Sequence, residues 1–320
     1  MKPKLSVCIP TYNRCEILKD TLEGVITFFV ERNVEVCISN NASTDGTDEY
    51  IKELVRLYPS IKYNKQVKNV SIDENMVDVI LMATGDYIFP LGDDDKIDVR
   101  HIENEIFDSI CDGVDLKIFN GRLGENYLLE TDLLGSSFDN LECAFESLWS
   151  KMPFGSFMFH RDLLVFMQKD NRFMNTSHAY TGIIWDGLYA KKVQGKQMIR
   201  IVCGQEPLIE FKQEKKTWEK DRFKILYYEI PLWFYLLLDK YPVISNKRIL
   251  KKYLIQMSSF KTLLRFKCKN PDFSNHIREY MSFFSYIQRK KALLINSIPS
   301  NILNNLYNFV KRWKKKKLVF

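Results

Sequence analysis

The chain has 320 residues, 46% of them hydrophobic and 27% charged, the balance of an ordinary globular protein with enough length for a sizeable core. Its longest apolar run, residues 230–238, is about half the ~20 residues of a spanning helix, and the start Met1-Lys2-Pro3-Lys4 leads into a strand-like run rather than a leader. Seven scattered cysteines without a CxxC pair argue against a disulfide framework and a zinc site, while the net charge of +7 hides a split: 28 Lys/Arg against 38 Asp/Glu over residues 1–239, and 19 against 2 over residues 240–320.

In chain order, residues 5–9 form a short apolar run closed by Pro10, a predicted strand. Ile17, Leu18, Leu22, Val25, Ile26 and Phe29 then recur at helical spacing. Residues 34–38 give a second strand, and Cys8 and Cys37, inside these two runs, are expected in the core. A polar loop, residues 39–46, precedes a helix over 47–57 that Tyr58-Pro59 stops. A short strand at 61–63, a helix over 73–83 ended near Gly85, and a strand at 86–89 complete the first part. Repeated strand–helix units of this length predict an α/β fold with a parallel sheet covered by helices. Residues 114–119 resume the sheet, with a helix at 140–149 and a strand near 156–159. Beyond them the pattern is mainly helical: 183–190, 223–238, 247–266, 274–289 and 302–313. The expected organisation is an α/β domain over residues 1–215 and a helical, basic region over residues 216–320.

In parallel sheets ligands bind beyond the carboxyl ends of the strands. Three polar loops should meet there: residues 10–14, 40–45 and 92–95. The last holds Asp93-Asp94-Asp95 directly after the apolar Tyr87-Ile88-Phe89. Adjacent carboxylates repel, so a bound cation or a solvated acidic turn must account for them.

The blocks VCIPTYNR (7–14), NNASTDGT (40–47) and ATGDYIFPLGDDD (83–95), in this order and spacing, resemble the family 2 glycosyltransferases of the GT-A fold. The resemblance covers about the first 120 residues well and the next hundred loosely. It implies a Rossmann-like, mainly parallel sheet flanked by helices, with the helical C-terminal region beside it. It also implies inverting, metal-dependent transfer of a sugar from a nucleotide-sugar donor to a hydroxyl of a glycan acceptor. Pro10, Thr11, Tyr12, Asn13, Arg14, Asn40, Asp93 and Asp94 would bind the nucleotide sugar, and Asp94 and Asp95 a divalent metal, Mg or Mn. Tyr12 offers a flat wall for a base, while Thr11, Asn13 and Asn40 offer donors and acceptors. A diphosphate needs a hard cation, and magnesium takes only one or two protein carboxylates. The chain departs from the family at Gly92, where the first acid of the metal motif usually stands, and at Asn40, where an acid is common. Asp45 and Gly46 read as turn and cap residues.

An inverting transfer also needs a base for the acceptor hydroxyl. The family places an acid at the start of a helix well past the metal motif, and the matching region, residues 176–186, offers Asp186 and His178 but no Glu-Asp signature. Lys216 and Trp218 follow the late strand-like run 205–209 and could form a lid or a plain surface loop. Residues 306–320 mix six Lys/Arg with aromatics and aliphatics and hold no acid, as a segment lying in an anionic membrane interface does. The expected partners are therefore a nucleotide-sugar donor, a lipid-linked glycan acceptor and an anionic membrane surface, without nucleic acid. The expected location is cytoplasmic, peripheral on the inner face of the cell membrane. Two rival readings stand beside this one. The first is a catalytically inactive nucleotide-sugar-binding or scaffold protein. The second is a sugar-1-phosphate nucleotidyltransferase, against which the non-glycine-rich first loop counts.

Overall fold

The computed structural model describes residues 2–164, 172–195, 198–212, 220–241, 247–270, 272–299 and 302. It divides into two compact units, Met1–Glu214 and Lys215–Phe320.

The first unit opens with β1 (Leu5–Thr11), α1 (Cys15–Glu23), α2 (Ile26–Glu31), β2 (Glu35–Asn40), α3 (Thr47–Leu57), β3 (Ile61–Lys65), α4 (Ile72–Met82) and β4 (Tyr87–Pro90). β1, β2 and β3 are each followed by helix before the next strand, and all four strands run parallel in the order β3-β2-β1-β4. β1 and β2 are covered on both sides, which is why they read as continuous apolar runs rather than alternating ones. Leu5, Val7, Ile9, Val36, Ile38 and Phe89 pack with Leu18, Leu22 and Phe29 of the helices in one buried core. Ser71 starts α4 by accepting from the Glu74 backbone N–H.

β5 (Lys96–Ile97), α5 (Asp108–Cys111), β6 (Leu116–Leu123), β7 (Asn126–Tyr127), β8 (Ser137–Phe138), α6 (Leu141–Leu148), β9 (Phe157–His160), α7 (Ala179–Val193) and β10 (Ile201–Glu210) follow. Here the sheet becomes mixed. β9 lies antiparallel between β4 and β6, β10 runs parallel to β6, and β5 closes the edge antiparallel to β10. The parallel half therefore directs the carboxyl ends of β1, β2 and β4 to one rim.

The second unit is helical: α8 (Arg222–Lys224), which runs through a π-turn into α9 (Ile230–Lys240), then α10 (Lys247–Met257), α11 (Phe260–Lys269), α12 (Phe273–Tyr280) and α13 (Tyr286–Ser297). Two long predicted helices are each divided. Ser259 caps α11 by accepting from the Thr262 N–H, which splits the expected helix over 247–266. Ser285 and Gln288 form a reciprocal capping box that starts α13 inside the expected 274–289 helix. Of the residues expected to form a helix at 302–313, all but 302 lie outside the described set, as do Lys216 and Trp218. Among the described residues no helix is long and apolar enough to cross a membrane.

Candidate active site

The β1 and β4 ends are tied together before any ligand is considered. Leu91 N–H donates to the Cys8 carbonyl (2.9 Å), extending the strand pairing into the turn that carries the three aspartates. All three are nearly buried, at 7%, 5% and 3% exposure. Arg14 Nη1 reaches Asp93 Oδ1 at 2.8 Å and Asp94 Oδ2 at 3.1 Å, so one guanidinium holds two neighbouring carboxylates that would otherwise repel. Thr11 Oγ1 donates to Asp93 Oδ2 (2.9 Å), and Thr21 Oγ1 donates to the Asp93 carbonyl (2.9 Å). Burial pushes the Asp93 carboxyl above its usual range, against the pull of Arg14. Burial also works against the Arg14 charge, but Asp93 and Asp94 outweigh it and hold the guanidinium above its ordinary value.

Gly92 has a physical reason. A Cβ there would overlap Asp95 Oδ2, and a Cβ on Gly155 (φ +98°) would stand 2.5 Å from the same oxygen. The Asp95 carboxylate thus fills the space that a side chain at position 92 would take. This is where the sequence resemblance expects the first acid.

The fit to a divalent cation follows from this donor set. Among the described residues, no three His, Cys, Asp or Glu converge as a metal cage. A magnesium site built on one or two carboxylates plus phosphate and water does not require one. Asp93 already spends both oxygens on Thr11 and Arg14. Asp94, although its Oδ2 also meets Arg14, and Asp95 are the remaining carboxylates of the turn, and their oxygen chemistry suits such an ion.

The second loop is held by its own amides. Asn40 is fully buried, and its amide is used within the protein: Oδ1 accepts from Ser43 N–H (2.9 Å) and Nδ2 donates to Tyr63 Oη (3.0 Å). Tyr63 in turn donates to Asp48 Oδ1 (2.7 Å). Asn40 therefore shapes the loop through both ends of its amide. Asn41 does similar work: its amide pairs with both backbone groups of Val70, at 3.0 and 2.8 Å, and clamps the segment before α4 onto the rim. Asn13, at φ +51°, locks the first loop to the second: its N–H donates to Ser43 Oγ (2.8 Å) and its Oδ1 accepts from Thr44 N–H (2.7 Å). Pro10 stands opposite Ser39 in the β1–β2 register, and Tyr12, 42% exposed, presents its ring to solvent at the same rim. Asp45 accepts from Cys15 N–H and from both donors of Thr47, a turn role.

The two base candidates separate. His178 stands at the N-cap of α7, half-buried, with Nδ1 3.2 Å from the Thr176 carbonyl and its ring stacked over Tyr180. Asp186 lies two turns into α7 at 4% exposure. It is a helix-interior residue, not one at a helix start. The residue that sequence reasoning missed is Asp73. Buried at 1% on α4, it accepts from the backbone N–H groups of Thr176 (3.0 Å), Ser177 (2.9 Å) and Ala179 (3.1 Å). It caps a helix a hundred residues away in sequence and holds the turn in which Asn175 (φ +63°) and Ser177 (φ +56°) are left-handed. Its neighbour Asn75 bonds both Ser39 Oγ and the Ser39 carbonyl, so α4 joins the α7 start to the β2 end. A second route runs from Asp95 through Gly155 and Phe154 to Tyr180, whose ring meets both Phe154 and His178. In sequence, Asp73 reads as a first-turn acid of its own helix, which conceals this use.

Residues 6–115 match the family described as "Glycosyl transferase family 2", and these residues hold both rim loops and the three aspartates. They form a family 2 glycosyltransferase domain. The chain is 39% identical over 95 residues to abequosyltransferase RfbV of Salmonella typhimurium, covering 29% of this chain and 28% of that protein. The uncharacterized glycosyltransferase YibD of Escherichia coli is 26% identical over 203 residues, 63% of this chain and 52% of that one. The chain thus spans between about a quarter and half of these curated relatives. TarS 1-349 of S. aureus superposes with a TM-score of 0.61 at 14% identity, covering 98% of this chain and 92% of that chain. The mannosyltransferase PcManGT of Pyrobaculum calidifontis, in a complex with GDP-Man and Mn2+, gives a TM-score of 0.54 at 14% identity over 92% of this chain and 87% of that one. These likenesses show the fold: a GT-A arrangement, with the mixed sheet described above around the family 2 rim.

Proposed function

We propose that the chain is an inverting, metal-dependent glycosyltransferase that moves a sugar from a nucleotide-sugar donor to a hydroxyl of a glycan acceptor. The observation that carries this reading is the wiring of Asp93-Asp94-Asp95 to Thr11 and Arg14 across the β1 and β4 ends, inside a family 2 domain. Nucleotide sugars also occupy solved relatives of the fold, UDP-GlcNAc in TarS and GDP-Man in PcManGT. In this reading Tyr12 covers the base, and Asp93 keeps Arg14 in place beside the diphosphate site. A divalent ion on Asp94 and Asp95 would draw off the charge that develops on the departing nucleoside diphosphate. His178 takes the proton of the attacking hydroxyl, from a site at the α7 start that is open to solvent in part. Residues 1–215 do this chemistry, and the basic region 216–320 sets the location. Its segment 302–320 would meet an anionic membrane on the cytoplasmic side, where a lipid-linked acceptor for surface polysaccharide or oligosaccharide synthesis is found.

The test is a panel of UDP-, GDP-, CDP- and dTDP-sugars with magnesium or manganese, read by nucleoside diphosphate release. Turnover with one donor, and its loss by at least about a hundredfold in Asp94→Ala, is the expected outcome. Unchanged turnover in that variant removes the metal assignment. Tight donor binding without release under every condition favours an inactive binding protein instead.

A further inference from the structure

α13 is held firmly yet leaves an apolar face uncovered. Its start is fixed by the Ser285–Gln288 capping box, and Gln288 Nε2 also donates to Ser258 Oγ (2.9 Å). At its end Lys267 Nζ of α11 reaches the carbonyls of Ile295 (3.2 Å) and Ile298 (2.8 Å). A helix tied at both ends presents its outer side in one orientation. At 3.6 residues per turn, buried Ala292 and Ile295 mark the inner side, and Tyr286, Lys290 and Leu294 stack along the outer one. Ile287 lies beside that line, and Lys291 and Arg289 flank it. Ile287 is 77% exposed, Leu294 69% and Tyr286 66%, three large apolar groups turned to water on one side of the helix.

The charge on α13 itself has one sign. α13 contains no acid, and among the described residues Arg289, Lys290 and Lys291 make no ion pair; Lys290 instead sits 5.2 Å from the Tyr286 ring centroid. Apolar groups interleaved with long cationic side chains match the boundary of an anionic bilayer: the aliphatic groups enter the acyl edge and the cations reach out to headgroup phosphates. A nucleic-acid groove would favour donors over three exposed aliphatic and aromatic bodies. The chain also continues from α13 toward the lysine-rich residues 311–317, so the two features are adjacent in sequence.

We propose that the outer face of α13, formed by Tyr286, Ile287 and Leu294 with Lys290 among them and Arg289 and Lys291 at the flanks, is a docking surface for an anionic lipid bilayer. It lies in the second unit and does not depend on the glycosyl-transfer reading. The test is co-sedimentation of the full chain with phosphatidylcholine vesicles, with and without phosphatidylglycerol. Two variants are compared, R289E/K290E/K291E and I287S/L294S, each checked for an unchanged melting temperature. The wild type should pellet only with the anionic vesicles, and each variant should partition at least about tenfold less. Full binding by either variant overturns the proposal, because α13 would then be dispensable and residues 306–320 sufficient. Tighter binding to a DNA duplex than to vesicles, lost in the same charge reversal, overturns it in favour of nucleic acid. Diphosphate release from a soluble donor should be unaffected in both variants, which keeps failure here distinct from failure of the catalytic reading.

Discussion

At the residue scale, Asp73 does work that its position conceals. One carboxylate with three backbone N–H donors is a strong anchor, and it fixes the turn that carries His178. It is a positioning residue, since it acts through the loop. Asp73→Ala should lower kcat by about tenfold to a hundredfold while leaving the donor KM within about twofold, and Asp73→Asn, which keeps one acceptor oxygen, should recover part of the loss. Steady-state kinetics at varied donor concentration decide it; a raised donor KM with kcat intact would mean that Asp73 serves the donor loop instead. The residues of the three sequence blocks were legible because each block is local: a strand end and the loop after it. Gly92 was legible only as a departure. Its cause lies in Asp95 and in Gly155, some sixty residues away, and no local pattern records that contact. The bonds of Asn40 within the protein were hidden for the same reason, because its partner Tyr63 comes from the next strand.

At the element scale, the amino-terminal end of the sheet is fastened by one buried carboxylate. Glu35 at the start of β2 accepts from Ser6 Oγ of β1 (2.6 Å), from Lys62 Nζ of β3 (2.6 Å), and from Thr84 N–H (2.7 Å) and Oγ1 (2.6 Å) just before β4. Burial alone would raise its pKa, but these bonds overcome it and hold the carboxyl down at about 2. A depressed folded-state pKa stabilises the fold above the ordinary carboxylate range, and this contribution is lost as pH falls from about 4.5 toward 2. Acid unfolding of the wild type should therefore lose on the order of 1–3 kcal/mol across that window. Glu35→Gln should start lower at neutral pH and vary less over the same range; chemical denaturation at several pH values measures both. Parallel slopes for wild type and variant would remove Glu35 from the account. Periodicity found the helices and strands of this half well, because burial on both faces writes itself into the sequence. In the second unit the apolar repeat continued through Ser259 and Ser285, where capping bonds start new helices, so two helices were read where four stand.

At the scale of the whole molecule, charge and thiols follow different rules. The acidic first part and the basic last part are visible in composition alone, because surface charge needs no partner to be counted. Thiol chemistry depends on burial, and the seven cysteines divide sharply by it. All are free; Cys8, Cys15, Cys37 and Cys203 are buried, Cys111 and Cys143 exposed, and Cys268 lies between. Cys8 and Cys37 stand opposite each other across β1 and β2, at the centre of the parallel half, as their apolar runs predict. Burial pushes the thiols of Cys8, Cys15 and Cys203 up, so at neutral pH they hold less of the reactive thiolate as well as being shielded. A chromogenic disulfide reagent should therefore find two fast thiols in the native chain, Cys111 and Cys143, a slower one at Cys268, and all seven only after unfolding in guanidinium. Since the thiols are free, reductant should leave the melting temperature unchanged. Mass mapping of the modified sites gives the decisive comparison. Labelling of Cys8 or Cys37 as fast as Cys111 would mean that the parallel half opens without global unfolding, and the rim loops built on its strand ends would then not be a preformed site.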